Sequence, residues 1–291
     1  MSDTLIATLA GLVTLFTWGT ADWLAARSTK HYDTFEINFV VQSVSMILSA
    51  VVFIIYGLHV NDIGQVIRIA LSSILIVTGY QVFITALSSG VLGIIVPLGN
   101  IYPLFTIVLS MVFLSTHIKS VQLAAMIGII LGAALLAYEK NAKKIPFREL
   151  HRESGLALTA AVIWGLGFFV LNPVVDKVSW QSVMIISEGT AFLLALLVIV
   201  AIKRRQTFQV FNRARQAKQP IVVGLLGTAG MVAVYFGSNK AGSVLIPTVL
   251  SAGAPLVTSL LGAVFEGERL NIIKRAGAVV AVSGIIVLNV A

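Results

Sequence analysis

The chain has 291 residues, 58% hydrophobic and only 11% charged, with a mean hydropathy of +0.98. No soluble interior of this size holds so much apolar side chain, so most of it faces lipid and a water-soluble enzyme or binding domain is excluded. A net charge of +8 would point to nucleic acid in a soluble protein, but the basic residues sit in short connections between apolar runs, which is membrane topology and not a nucleic-acid footprint.

Apolar runs predict ten transmembrane spans, near 4–26, 34–57, 64–88, 90–115, 119–138, 154–172, 179–202, 218–239, 242–265 and 270–290. At about 20 residues each they leave no room for a soluble domain. Span 1 is expected to stay as a helix and not to be a signal peptide, since no basic residue precedes it while Arg27 and Lys30 follow. It carries Trp18-Gly19 and, one turn later on the same face, Asp22. Asp22 reads either as a cavity carboxyl or as an interfacial partner of Arg27, and Trp23 beside it as a belt residue. Span 2 contributes Gln42. Span 3 has a polar stripe, Thr78, Gln81, Thr85 and Ser88, with Tyr80 next to it. Span 4 places Asn100 between Pro97 and Pro103, and span 5 has Gly128 and Gly132 as a small-residue seam.

A basic connection, Glu139 to Glu153, separates the halves, giving a first unit 1–138, a loop 139–153 and a second unit 154–291. Span 6 repeats the Trp-Gly pair as Trp164-Gly165. Span 7 opens on Trp180, at interfacial depth, and carries Glu188 about a third of the way in, with Gly189 beside it for close helix approach. A second basic stretch runs from Lys203 to Lys218. Span 8 shows Met231, Tyr235 and Asn239 at spacing four; span 9 has Pro247 and Pro255; span 10 has Gly277, Ala281 and Gly284. The prolines are expected to bend spans 4 and 9, either statically or as flexing points.

The halves are related. Shifting the chain by about 152 residues brings Gly90, Pro103, Leu104, Thr106, Val112, Phe113 and Gly132 onto Gly242, Pro255, Leu256, Thr258, Val264, Phe265 and Gly284, and a shift of about 146 brings Trp18-Gly19 onto Trp164-Gly165. The second shift also pairs Gln42 with Glu188, so an amide and a carboxyl are expected near a common axis, within reach of a hydrogen bond. Five spans per half force the second half to enter the membrane from the opposite side. The connections after spans 1, 5, 7 and 9 hold sixteen of the twenty Lys and Arg, which predicts those loops in the cytoplasm and both termini outside the cell membrane.

These residues resemble the EamA-type members of the drug/metabolite transporter superfamily. The carriers of the likeness are Trp18-Gly19, Trp164-Gly165 and the block from Ala254 to Leu270 with its Pro255 and Phe265-Glu-Gly-Glu-Arg-Leu270, followed by Gly277 and Gly284. Glu266 stands where that family usually has Leu, and the first half replaces the Glu-Arg pair with Thr116-His117. The resemblance implies an all-α integral membrane fold of ten helices in two inverted five-helix repeats, and a central cavity formed mainly by spans 1, 3, 4, 6, 8 and 9. It implies transport of a small metabolite such as an amino acid, amine or sugar, often outward.

Charge inside a span is costly and asks for a role. The residues expected to meet the substrate are therefore Trp18, Asp22, Gln42, Tyr80, Gln81, Asn100, Trp164, Glu188, Tyr235 and Asn239, with indole faces and carboxyls suited to a cation. Each has a competing reading as ordinary helix packing. Lys177 and Lys240 sit at span ends, which leaves a strongly anionic substrate without a clamp. Glu188 is the expected site of proton coupling. No Walker-type run is present, no cysteine occurs and the histidines lack a second ligand at metal spacing, so neither ATP, metal nor another cofactor is expected. An intramembrane enzyme would need a base or paired acids that no span supplies; a non-transporting accessory protein, or a sugar or quaternary-amine uptake permease, remains as the alternative.

Overall fold

The computed structural model describes residues 2–89, 92–136, 147–202, 210, 213–214, 216–267 and 271–290, and the regular structure among them is helical. The helices are α1 (Asp3–Ser28), α2 (Thr34–Tyr56), α3 (Ile63–Leu87), α4 (Leu92–Gly99), α5 (Tyr102–Phe113), α6 (Ser120–Leu136), α7 (Phe147–Leu171), α8 (Trp180–Ile202), α9 (Lys218–Ala241), α10 (Leu245–Ser251), α11 (Ala254–Glu266) and α12 (Ile272–Val290). Short polar caps start the first three. The Ser2, Asp33 and Asp62 side chains accept from the N–H of Leu5, Phe35 and Gly64, groups that a helix start otherwise leaves unpaired. Gly242 and Gly267, at φ +66° and +70°, close α9 and α11 in the left-handed conformation.

Eight stretches among the described residues are long and apolar enough to cross a membrane: α1, α2, α3, α4 with α5, α7, α8, α9, and α10 with α11. The chain is a multi-pass membrane protein. Helix α6, at 17 residues, is shorter, and α12 opens on Lys274 and Arg275. These two pack against each other, with Gly132 of α6 on the backbone at Gly277 and Ala281 and Gly284 of α12 on the backbone at Ala125 and Ile129.

The bends expected at the prolines are complete breaks. One apolar stretch is interrupted between α4 and α5, the other between α10 and α11, at positions 152 residues apart. Pro103 and Pro255 fall in the first turn of the second segment, where a missing N–H leaves no bond unmade.

Contacts between the halves are reciprocal. Thr258 Oγ1 of α11 donates to Gly19 O of α1, and its repeat partner Thr106 of α5 donates to Gly165 O of α7. Trp18 Nε1 donates to Gly227 O of α9, and Trp164 Nε1 to Ile76 O of α3. A Cβ on Gly19 would lie 2.5 Å from Ala254 O and one on Gly165 2.9 Å from Tyr102 O. The Trp-Gly pair is thus one packing device used twice, the glycine admitting a neighbour's backbone and the indole lying across another helix. Contacts returned in this way are what a twofold relation between like units produces.

Three local expectations are corrected. Helix α7 begins at Phe147, seven residues before the predicted span, because the Arg-Glu-Leu-His-Arg-Glu run is good helix former and extends the apolar helix. Gly189 and Gly128 have nothing within 4 Å of a Cβ position, so neither serves a close helix contact. Trp23 is buried and not a belt residue: its Nε1 donates to Glu266 Oε1 at 3.0 Å, and the Arg27 guanidinium, 4.0 Å above its ring, pairs with the same oxygen at 2.8 Å. Glu266, the residue that departs from the resembled pattern, thereby ties α1 to α11. Lys140, Lys143, Lys144, Lys203, Arg204, Arg205, Arg215, Glu268 and Arg269 lie outside the described residues.

Candidate functional site

A cavity of about 120 Å³ lies inside the bundle. Its walls come from α1, α2, α3, the α4–α5 break, α7, α8 and α9, and the helices of the second broken stretch contribute no lining residue. Gln42 of α2 and Glu188 of α8 line the cavity, joined by Ser45, and the expected wall set is corrected at span 9, since α10 and α11 are held behind α1 and α5. Tyr102 shows why. Its hydroxyl reaches past the cavity to Ser251, filling the space between α5 and α10.

Eight of the ten singled-out residues line this one space: Trp18, Asp22, Gln42, Tyr80, Asn100, Trp164, Glu188 and Tyr235. Each is placed by its helix. Asp22 stands one turn beyond Trp18 on α1 and lines the cavity with Asn100 of the helix break, whose amide donates to Val96 O. Arg27 is engaged by Glu266, so the interfacial pairing with Asp22 is not made. Glu188, 5% exposed, accepts from Tyr235 Oη at 3.3 Å, and Ser45, which bonds Thr228 at 2.7 Å, lines the cavity with it. Gln42 donates to Asn38 Oδ1 on its own helix, where a bond to Glu188 was expected.

Gln81 and Asn239 lie elsewhere. Gln81 is turned toward α2, accepting from Asn38 and donating to Thr34. The cavity face of α3 is Ser73, Ile76, Val77 and Tyr80, so the stripe from Thr78 to Ser88 belongs to another side of the helix. Asn239 sits one turn past Tyr235, where α7 and the turn after it end, and donates to Val175 O and Val178 O, carbonyls that a helix terminus leaves without partners.

Aromatic rings form a continuous wall. Trp18 lies 6.5 Å from Phe168, Phe168 stacks on Tyr102 at 5.2 Å, and Tyr102 meets Trp164 edge-on at 5.9 Å. No Lys, Arg or His is among the lining residues. Lys177 and Lys240 are exposed, and the buried Lys274 belongs to a separate small cavity with Trp23 and Glu266. The enclosed charge of the main cavity comes from two carboxyls, one per half. Sequence reading missed Ser45, Ser73, Tyr102 and Phe168. Two were within reach of the argument, Ser45 three residues after Gln42 and Ser73 seven before Tyr80, both on the same helix face.

The sequence model of the EamA-like transporter family matches residues 5–138 and 152–290, two copies that span nearly the whole chain. The chain belongs to the EamA-like transporter family. It is a membrane transporter of the drug/metabolite superfamily built from two EamA repeats. An uncharacterized protein of Methanocaldococcus jannaschii, MJ1333.1, is 28% identical over 132 residues, which make up 45% of this chain and 96% of that protein, so the relative is about one repeat long. A protein of known crystal structure shares the fold at 18% identity, with a TM-score of 0.72 over 97% of both chains.

Proposed function

We propose that this EamA protein is a secondary transporter that carries a small organic cation or zwitterion, an amine or amino acid, outward across the cell membrane by alternating access. The carrying observation is a cavity inside the bundle with one carboxyl from each half, an aromatic wall and no basic lining residue. Such a site attracts positive charge and gives an anion nothing to bind. The ten residues singled out from sequence divide under this reading: eight meet the substrate in the cavity, while Gln81 and Asn239 hold the helices that frame it.

Ten crossings follow if α6 and α12 join the eight apolar stretches, and five crossings per repeat make the repeats inverted. The reciprocal Trp-Gly contacts support that arrangement, as does a relative one repeat long. Both termini then lie outside, with the basic connections in the cytoplasm. Rocking of the halves about the two helix breaks would expose the cavity to each side in turn. Protons take the place of the cation on Glu188 when the site empties, which couples transport to the proton gradient.

The test is exchange in proteoliposomes preloaded with unlabelled solute. Labelled amines or amino acids are expected to enter by counterflow without ATP, and sugar phosphates are not. Counterflow of a sugar with none of an amine or amino acid would favour the permease alternative, and no exchange of any of them would favour an accessory role.

A further inference from the structure

The cavity is polar at two levels and apolar between them, and helix α3 shows the order along one face. Ser73 lies at the level of Glu188, since its hydroxyl donates to Ser187 O. Tyr80, two turns further along the same face, lines the cavity together with Asp22. Ile76 and Val77 line the wall between them. Seven residues of helix separate the two levels, about 10 Å at 1.5 Å per residue.

The hydrogen-bond donors of the cavity decide what else the cargo carries. An indole has a single N–H. Both are committed to backbone, Trp18 to Gly227 O and Trp164 to Ile76 O. The Tyr235 hydroxyl donates to Glu188. A cargo carboxylate would find no cation and few free donors. The Tyr80 hydroxyl, by contrast, is buried and bonds nothing in the protein, in the wall of the same cavity as Asp22. A buried polar atom without a partner calls for one, and of the five such atoms among the described residues this one alone belongs to a residue that lines the main cavity.

We propose that the cargo is a short aliphatic diamine, one ammonium on Asp22 with the Tyr80 hydroxyl as acceptor, the other on Glu188, and its methylenes along Ile76, Val77 and the aromatic wall. This rests on the amine-transporter reading and sharpens it, replacing the zwitterion by a dication. Two charge-assisted contacts of about 2.8 Å each take up over half of the 10 Å and leave about 4 Å between the two nitrogens, which at about 1.25 Å of advance per bond is a chain of two or three carbons. Longer diamines would have to buckle, and a monoamine leaves one carboxyl without its cation.

The test is competition against a labelled three-carbon diamine in proteoliposomes of the full chain, with α,ω-diamines of two to eight carbons and the monoamine of each length as competitors. Short diamines are expected to compete about tenfold or more better than their monoamines, the value of one further charge-assisted contact, with an optimum at about two to three carbons. In Asp22→Asn and in Glu188→Gln that advantage is expected to fall to about onefold while monoamines still compete, which also reports that the variants fold. Monoamines competing as well as diamines in the wild type, with no length optimum, would overturn the diamine assignment and leave the amine transporter standing. Exchange of another solute with no amine competing at any length would overturn both. The wild-type series alone decides between these results, so the conclusion does not depend on either variant.

Discussion

A hydroxyl that bonds nothing in the protein can be removed at no cost to the fold, and that of Tyr80 is such a hydroxyl. Tyr80→Phe is expected to leave the thermal unfolding temperature unchanged or slightly higher while weakening amine competition about three- to tenfold; an unfolding temperature that drops would mean the hydroxyl holds the structure. Glu188 carries a different expectation, because cation and proton compete for one carboxyl. Amine affinity should rise with pH, against the surroundings of Tyr235, Ser45 and the second carboxyl Asp22 in the same cavity. Glu188→Gln should flatten that rise and abolish gradient-driven accumulation. A pH response equal to wild type in the folded variant would make Glu188 a packing residue. Both carboxyls were visible in the sequence because charge in an apolar span is conspicuous. Their surroundings were not. Ser45 and Ser73 are ordinary in a helix, and only the rotation of α2 and α3 in the bundle turns them inward while turning Gln81 away.

At the scale of elements, the two Trp-Gly pairs fix how close helices come. A methyl on Gly19 meets Ala254 O, backbone that cannot move aside, so Gly19→Ala is expected to destabilise the protein by about 1 to 3 kcal/mol, read by thermal unfolding in detergent. Gly189 faces open space, and Gly189→Ala should be neutral or stabilising by up to about 1 kcal/mol. Equal losses in both would mean that helix propensity and not contact sets the effect. The spacing of apolar and polar residues revealed the helices themselves and most of their ends. The breaks at Asn100–Ile101 and Ala252–Gly253 were legible only as prolines, since a proline inside a helix and a proline at the start of a new one look alike along a chain. The bridge from Arg27 and Trp23 to Glu266 joins residues 239 positions or more apart, a distance at which local pattern carries no information.

For the molecule as a whole, the duplication was readable from paired Pro, Gly and Trp-Gly positions, and the structure adds that the Thr-to-Gly and indole contacts of one repeat are returned by the other. The proposed sidedness is read from loop charge alone and is open to a clean test, because the native chain has no cysteine. A cysteine at Lys30 or Lys143 should react with an impermeant maleimide only after the cell is opened, and one at His59 in intact cells; the reverse pattern would invert the topology. The most direct measurement of the central claim is amine accumulation in proteoliposomes with an acidic interior and no ATP. The account predicts uptake of amine against its own gradient, collapse of that uptake when an ionophore dissipates the proton gradient, and none in a folded Asp22→Asn/Glu188→Gln double variant. Accumulation in the double variant equal to that of the wild type would contradict it.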